Sequence, residues 1–232
     1  MNSPMNDLSQ TTDLKSSLSS PTVVGLVAAY QEEKNLPSVL RKCRELGYST
    51  VVVDDGSTDK TSEIARADGA QVIRHRLNLG QGSAIITGFR ATLAMGADIV
   101  VFMDADGQHQ PSEIPKFIEA MRDTSADIVV GSRLLGSNHP NAPFSRRFFL
   151  PYVTKVINIL TGYQMTDAMC GFRAVRTTSL ARMNKDFNGM LEQQYIASEM
   201  FIRFAHAGLT VTEVPINLGD RLSGTSHKGF VR

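Results

Sequence analysis

The chain has 232 residues, of which 42% are hydrophobic and 20% are charged, and 24 basic and 23 acidic side chains give a formal net charge of +1. This length suits one α/β domain with a large buried core, and a charge near zero argues against bulk binding of nucleic acid. The two cysteines, Cys43 and Cys170, lie far apart and lack partners at metal-ligand spacing, which excludes a disulfide framework and predicts free thiols, one in a helix core and one in a loop.

The ends of the chain differ in composition from its middle. Residues 1–20 are rich in Ser, Thr, Asn and Asp, so we expect a disordered tail followed by a single domain over residues 21–232. No apolar run approaches the ~20 residues needed to span a bilayer, and no charged segment followed by an apolar one resembles a secretion signal. The sequence therefore predicts a soluble or peripheral protein, and the few cysteines favour the reducing cytosol over secretion.

Short β-rich runs alternate with amphipathic helical patterns over the first 130 residues. The predicted strands cover residues 22–28, 50–53, 71–74, 98–103 and 127–130. The predicted helices run from Asn35 to Gly47, up to Gly69, from Gly82 to Met95, and onward from Pro111. Such alternation indicates right-handed βαβ crossovers and a mostly parallel sheet flanked by helices.

The pattern becomes less regular after Arg133. We expect a helix in the aromatic and basic segment 143–163, with a break or kink at Pro151. Further predictions are a strand at 166–174, a helix at 191–207, a strand at 209–214 and a flexible basic loop at 219–232.

Two aspartates follow the apolar strand that begins at Asp98. Asp104 and Asp106 are separated by one residue and would lie at the carboxyl edge of the sheet, where ligands of such sheets bind. Two carboxylates so close together repel each other unless a cation joins them or one is protonated. Mg²⁺ or Mn²⁺ fits this pattern, with Gln108 as a further oxygen ligand; the alternative is a solvated turn after the strand.

Acidic residues also follow two other predicted strands, at Glu32 and at Asp54 and Asp55. Because parallel strands end at one edge of the sheet, the three acidic loops can converge. Carboxylates accept hydrogen bonds from a base and a ribose, and a cation neutralises phosphates, so a nucleotide diphosphate with its metal suits this edge.

Glycines at Gly80 and Gly82 stand where the third strand turns into a helix. They allow the backbone to approach a ligand closely, or they only shape a tight connection. Position 85 is Ile, so the segment is not a dinucleotide fingerprint, and the chain contains no P-loop pattern.

Seven segments occur in the order seen in family 2 glycosyltransferases. They are YQE at 30–32, VVDDGSTD at 52–59, NLGQGSA at 78–84, DADGQH at 104–109, GSR at 131–133, DAMCGFR at 167–173 and DRLSGTS at 220–226. Within that family the set most resembles the dolichol (polyprenol)-phosphate mannosyltransferases, over about residues 23–228. The resemblance implies a GT-A fold and metal-dependent, inverting transfer of a hexose, with GDP-mannose the favoured donor, to a polyprenyl or dolichyl phosphate.

The resemblance also assigns roles to residues of this chain. Catalysis would involve Asp104, Asp106 and Arg221, and Asp104, Asp106 and Gln108 would hold the Mg²⁺ or Mn²⁺ ion. The nucleotide sugar would contact Tyr30, Glu32, Asp54, Asp55, Gly56, Ser57, Gly80 and Gly82, with Asp167 and Glu199 near the sugar; for Glu199 a plain helix-surface carboxylate is the alternative. The acceptor phosphate would contact Arg133, Arg146, Arg147, Ser226 and Lys228.

A polyprenyl acceptor requires access to a membrane. Basic residues lie beside aromatics in the segment of about 140–165, so it is predicted to face the acceptor and the membrane, with the protein peripheral on the cytoplasmic side or anchored by a membrane-protein partner. A core helix with a charged outer face and a dimer contact are the alternatives. The oligomeric state stays open.

Three rival functions remain at this point. The same fold could transfer glucose or N-acetylglucosamine from a UDP donor to a lipid or glycan. The segment 101–107 also resembles the opening motif of haloacid-dehalogenase-type phosphatases, with Asp104 as nucleophile and Asp106 as acid and base. A nucleotide-sugar sensor without activity is the third possibility.

Overall fold

The computed structural model describes residues 20–136, 144–182 and 196–219, with the backbone alone at 144–149 and 196–197. The predicted tail at 1–20 and the predicted basic loop at 219–232 lie almost entirely outside these ranges.

Seven strands of the described residues form one sheet, in the order β3-β2-β1-β4-β6-β5-β7. They are β1 (Val23–Ala29), β2 (Ser49–Asp54), β3 (Gln71–Arg74), β4 (Ile99–Asp104), β5 (Ile128–Ser132), β6 (Arg173–Arg176) and β7 (Val211–Pro215). All are parallel except β6, which runs antiparallel between β4 and β5. The prediction of a mostly parallel sheet is therefore confirmed.

Seven helices connect the strands within the described ranges. They are α1 (Leu36–Glu45), α2 (Thr61–Ala67), α3 (Gln81–Ala94), α4 (Ile114–Thr124), α5 (Phe144–Thr161), α6 (Thr177–Arg182) and α7 (Ile196–His206), with a 3₁₀ turn at Pro111–Glu113 before α4. The valines and isoleucines of β2, β4 and β5 are buried, as strands covered on both faces require. The cysteine prediction is confirmed: Cys43 lies buried in α1 and Cys170 buried in a loop, both as free thiols.

The predicted strand at 166–174 is wrong over most of its length, because the strand in this region, β6, begins only at Arg173. The amide groups of Thr166 and Asp167 donate instead to the Glu213 carboxylate, at 2.7 and 2.9 Å, and that of Ala168 donates to Thr154 Oγ1 at 3.2 Å. Amide groups committed to side chains cannot pair with a neighbouring strand, so the segment is a loop.

The structure also corrects details of two predicted helices, α5 and α1. The helix continues through Pro151, so the prediction of a break is wrong, while the predicted kink stays a prediction; Pro151 itself is exposed. The helix predicted from Asn35 begins at Leu36, and the Asn35 side chain does not cap it but donates to Glu32 Oε2 at 2.6 Å.

Candidate functional site

The carboxyl ends of β1, β2 and β4 lie side by side at one edge of the sheet. Asp104 is in register with Ala28 of β1, and Asp54 is in register with Ala29 at the end of the same strand. The loops that follow these three strands carry the acidic residues singled out in the sequence. The predicted convergence of the acidic loops on one edge is confirmed.

Asp104 and Asp106 occupy the two sides of a tight turn after β4. The Asp104 side chain is 29% exposed, and its Oδ1 accepts from Gln81 Nε2 at 3.1 Å. Asp106 is buried, and its Oδ1 accepts from the backbone amide of Gln108 at 3.0 Å. Gly107, directly after Asp106, has φ +84°, a backbone conformation that glycine adopts readily and that lets the chain turn there.

A buried histidine, His109, supports this turn from inside the protein. His109 Nδ1 accepts the backbone amide of Asp104 at 2.9 Å, and its Nε2 lies 4.0 Å from Asp104 Oδ2. Its ring stacks on Phe172 with centroids 4.9 Å apart and planes 13° apart, and Phe172 in turn packs against Phe117. Because Nδ1 accepts, the neutral ring carries its proton on Nε2, on the side of the Asp104 carboxylate.

The donor chemistry of this turn suits a hard divalent cation. Asp104 and Asp106 offer carboxylate oxygens and Gln108 an amide oxygen, the ligands that Mg²⁺ and Mn²⁺ prefer. Within residues 20–136, 144–182 and 196–219, no three His, Cys, Asp or Glu side chains are grouped as an all-protein metal cage. Such a two-carboxylate site is typical of Mg²⁺ sites completed by substrate phosphates and water.

The loops after β1 and β2 are joined by side-chain to backbone hydrogen bonds. The Gln31 amide donates to Ser57 Oγ at 3.0 Å, and the Glu32 amide donates to Thr61 Oγ1 at 2.9 Å. Gln31 has φ +58°, an unusual value for a residue with a side chain, and its Nε2 donates to Thr58 Oγ1 at 2.7 Å. These contacts hold Glu32 and the partly exposed Tyr30 at the edge.

Asp54 and Asp55 have different surroundings, although they are adjacent. Asp54 is fully buried, and its carboxylate accepts from the Ser57 amide at 2.9 Å and from the Ser62 hydroxyl. These contacts favour a supporting role for Asp54 within the β2 loop, and Ser57, also buried, shares that role. Asp55 instead reaches the loop after β3.

Asp55 anchors the glycine-containing turn before α3. Its Oδ1 accepts from the Leu79 amide at 2.9 Å and its Oδ2 from the Gly80 amide at 2.7 Å. His75 Nδ1 lies 2.7 Å from Asp55 Oδ1, and His75 Nε2 lies 2.9 Å from Thr87 Oγ1. The Asp55 carboxylate therefore fixes the position of the turn relative to β2.

Gly56 explains how closely these two loops approach each other. A Cβ atom built on Gly56 would lie 2.6 Å from the carbonyl carbon of Leu77 and 2.7 Å from the amide nitrogen of Asn78. Only glycine fits there, and φ at Gly56 is +78°. Gly80, with φ +90°, precedes α3, and Gly82 lies buried in its first turn. Glycine is thus required at position 56 because the loops after β2 and β3 touch each other there.

Two residues predicted in separate roles are paired. Arg133, after β5, donates through Nε and Nη2 to the two carboxylate oxygens of Asp167, at 2.6 and 2.8 Å. Asp167 is fully buried and Arg133 is 17% exposed at its side chain. Burial alone would lower the pKa of Arg133, but the hydrogen bonds and charge of Asp167, with a smaller contribution from Asp104, raise it above its usual range. The guanidinium is a permanent cation near Asp104.

Glu213 of β7 supports this pair from the other side. Its carboxylate accepts from the amides of Thr166 and Asp167, and Thr166 Oγ1 lies 2.6 Å from Ser132 Oγ. The loop that carries Asp167 is therefore fixed to β5 and β7.

A second arginine lies behind this loop and is buried within the sheet. Arg173 donates to the carbonyl groups of Cys170 and Ala168, at 2.8 and 3.1 Å, and its guanidinium lies 4.3 Å from the centroid of the Phe201 ring. Burial lowers its pKa to about 10 and raises the pKa of the adjacent Cys170 thiol to about 12. Arg173 holds the segment between Asp167 and the Phe172 ring in place.

Glu199 forms an ion pair within its own helix, and α5 has one buried and one exposed face. Glu199 of α7 accepts from Arg203 Nε and Nη2 at 2.9 and 2.7 Å, an ion pair one helical turn apart. Along α5, Thr154 and Ile157 are buried, whereas Tyr152, Val156, Ile159 and Leu160 are exposed beside the exposed Lys155. The outer face of α5 at 151–160 is thus largely apolar, contrary to the alternative of a charged outer face.

Several predicted residues lie where side chains are not described. Arg146 and Arg147 lie within α5, whose backbone alone is described there, and Arg221, Ser226 and Lys228 lie outside the described residues. The described chain stops at Gly219, whose amide donates to the carbonyl of Gln108 at 2.8 Å.

Sequence reasoning assigned no role to four residues of this network: Gln81, His109, His75 and Glu213. Gln81 and His109 lie inside two of the segments that resemble family 2 glycosyltransferases, 78–84 and 104–109. The sequence therefore offered a signal that both residues belong to the site. His75 and Glu213 carried none, because Asp55 and Asp167, which they contact, are 20 and 46 residues away along the chain.

No helix within the described ranges is both long and apolar enough to cross a bilayer.

The comparisons with known proteins agree with this architecture. The undecaprenyl-phosphate mannosyltransferase of Micrococcus luteus is 34% identical, over 88% of this chain and 86% of that protein. The UDP-N-acetylglucosamine–dolichyl-phosphate N-acetylglucosaminyltransferase of Methanococcus voltae is 30% identical, over 82% of this chain and 83% of that protein. Glucosyl-3-phosphoglycerate synthase of Mycobacterium tuberculosis, crystallised with Mn²⁺ and UDP, has a TM-score of 0.65 at 21% identity, covering 88% of this chain and 74% of that chain.

These comparisons settle the fold and the class of enzyme. The structural likeness identifies the sheet and its helices as a GT-A fold. The profile of Glycosyl transferase family 2 matches residues 26–183, which include the acidic turns and the Asp167 loop. The phosphatase and the inactive sensor are thereby set aside. The chain belongs to glycosyltransferase family 2 and is a glycosyltransferase.

Proposed function

We propose that this enzyme transfers a hexose from a nucleotide diphosphate sugar, with GDP-mannose favoured, to the phosphate of a polyprenyl lipid, with inversion at the anomeric carbon. The observation that carries the proposal is the single edge at which Asp104 and Asp106 meet the loops after β1, β2 and β3. The names of the two relatives, both transferases acting on lipid phosphates, support the acceptor class.

The nucleoside end of the donor fits the loops after β1 and β2. Tyr30 is exposed there and Glu32 is only partly buried, so an aromatic face and a carboxylate are accessible to a base and a ribose. Asp55 supports this site by holding the turn at Gly80. Asp54, Gly56 and Ser57 contribute by keeping the loops in place, and Gly82 by the start of α3.

Asp104, Asp106 and Gln108 are the residues that would hold Mg²⁺ or Mn²⁺ in this site. When bound, such an ion offsets the negative charge on the departing nucleoside diphosphate. Arg221, which follows the anchored Gly219, would add a positive charge to the same leaving group.

The acceptor phosphate needs positioning more than activation. A phosphate monoester is largely ionised at neutral pH, since its second pKa is about 6, so no side chain must remove a proton from it. A phosphate oxygen forms the new bond to the anomeric carbon as the bond to the nucleoside diphosphate breaks. Arg133, kept cationic by Asp167, suits that phosphate, and Arg146, Arg147, Ser226 and Lys228 are proposed to contact it as well.

The acceptor lies in a membrane, and we propose that the outer face of α5 contacts it. Tyr152 and Ile159 are 69% and 74% exposed, and Lys155 is exposed beside them. Large apolar side chains next to a cation are typical of helices that lie in the lipid interface. We therefore propose a peripheral protein on the cytoplasmic face of a membrane, with the 140–165 segment toward the lipid.

A second donor has a specific observation in its favour. The relative from Methanococcus voltae is named for UDP-N-acetylglucosamine, and the structural neighbour was crystallised with UDP. Transfer of N-acetylglucosamine or glucose from UDP by the same site is therefore the alternative.

Calorimetric titration with GDP and with UDP, each with and without Mn²⁺, tests the proposal first. Tight binding of one of them that requires Mn²⁺ would support the site and identify the donor class. Transfer is then measured from the matching sugar nucleotide to a polyprenyl phosphate in detergent. Asp106→Asn should abolish metal-dependent transfer, whereas the exposed Asp123→Asn should leave it unchanged.

Arg221→Ala separates binding from chemistry, because it should spare donor binding and slow transfer. Normal transfer in Asp106→Asn or in Arg221→Ala would contradict the role assigned to that residue. Failure of both nucleotides to bind would contradict the proposed function itself.

A further inference from the structure

Gln81 lies next to the acidic turn and is one of the residues to which the sequence assigned no role. It is the first residue of α3, and its Nε2 lies 3.1 Å from Asp104 Oδ1. An ionised carboxylate only accepts hydrogen bonds, so the amide group must present its NH₂ side to Asp104. The contact therefore has one orientation and holds one oxygen of that carboxylate.

Gln81 is itself held in position by the turn that precedes it. Asp55 accepts from the amides of Leu79 and Gly80, the two residues before Gln81. His75 contacts both Asp55, at 2.7 Å, and Thr87 of α3, at 2.9 Å. The side chain that reaches Asp104 thus starts from a backbone fixed to β2 and to its own helix.

The sheet order explains why this contact needs a long-range bridge. Asp55 follows β2 and Asp104 ends β4, and β1 lies between these strands. Helix α3 packs across β1 so closely that a Cβ on Gly88 would lie 2.1 Å from a methyl carbon of Leu26. The start of α3 is therefore placed over the end of β1, from where Gln81 spans the gap to β4.

We infer that Gln81 is a positioning residue that orients the Asp104 carboxylate for a divalent cation. Because Asp55 holds the backbone just before Gln81, the same contact couples that carboxylate to the loop after β2. This inference depends on the proposed metal site at Asp104. Hydrogen-bond partners of metal-binding carboxylates change metal affinity or activity by about 10- to 100-fold when they are removed. Loss of the Gln81 amide should act on the metal first.

The test compares the metal affinity of the wild type with that of Gln81→Met, which keeps the length of the side chain and lacks the donor. Mn²⁺ binding is measured by electron paramagnetic resonance and by calorimetry, with saturating GDP and, separately, saturating UDP. We expect the Mn²⁺ dissociation constant to rise about 10- to 100-fold. Binding of the nucleotide without metal should stay unchanged, and excess Mn²⁺ should restore turnover.

Gln71→Met, at an exposed glutamine on β3, is the matched control and should bind Mn²⁺ as the wild type does. Gln81→Leu serves as a second variant without the donor should Gln81→Met fail to fold. A Mn²⁺ affinity within twofold of the wild type in a folded Gln81 variant would overturn the inference and leave the proposed function intact. A wild type that binds neither nucleotide with Mn²⁺ would instead remove the metal site, and with it both proposals.

Discussion

Replacing Gly56 by alanine tests how closely the loops after β2 and β3 approach each other. Two costs are expected. The φ of +78° is unfavourable for a residue with a Cβ by about 1–2 kcal/mol. The new Cβ would also lie within 2.9 Å of three backbone atoms of Leu77 and Asn78, and such overpacking costs about 1–3 kcal/mol.

Gly47 provides a matched control for the first cost. Its φ is +79°, and a Cβ there meets nothing within 4 Å. Gly47→Ala therefore carries the backbone cost and the gain from a less flexible unfolded chain, and both cancel in the comparison. The difference in the free energy of unfolding between the two variants should equal the steric cost, about 1–3 kcal/mol.

Urea denaturation followed by circular dichroism measures this difference. Calorimetry with GDP and UDP should also show weaker nucleotide binding for Gly56→Ala than for Gly47→Ala, because the loop that carries Asn78 must move. Equal stabilities of the two variants would refute the close approach of the loops. Equal nucleotide affinities would refute its importance for the site.

Two further predictions concern the buried network and the thiols. Asp167→Asn removes the charge paired with Arg133 and should lower the free energy of unfolding by about 3–5 kcal/mol, measured by urea denaturation. The double variant Arg133→Leu/Asp167→Leu should lose less stability than Arg133→Leu and Asp167→Leu lose in sum, and additive losses would contradict the pairing. Burial raises the pKa of the Cys43 and Cys170 thiols from 9.0 to about 12. From about pH 9 the unfolded chain therefore releases protons that the folded chain keeps. The free energy of unfolding should fall by about 1.4 kcal/mol per pH unit for each thiol up to about pH 12. The variant Cys43→Ala/Cys170→Ala should lose stability less steeply over this range, and an equal slope in wild type and variant would contradict the burial of the thiols.

Much of the site could be predicted from local pattern. The short apolar runs ended at Asp54 and Asp104, and parallel strands of one sheet end at one edge, so the meeting of the acidic loops followed without knowledge of any contact. The same reasoning predicted the alternation of strands and helices and the two free thiols. These features depend on residues close together in the chain, which is where sequence patterns carry information.

The tertiary structure decided which side chains meet. Strand β6 enters the sheet antiparallel between β4 and β5, and this brings the loop with Asp167 beside Arg133, 34 residues earlier in the chain. Nothing local in the sequence indicated that pair, because either residue alone reads as a ligand contact. The contact of Gln81 with Asp104 likewise depends on α3 crossing β1. Strand order and crossings are set by the packing of the whole core, so they fix the partners of side chains that local periodicity cannot identify.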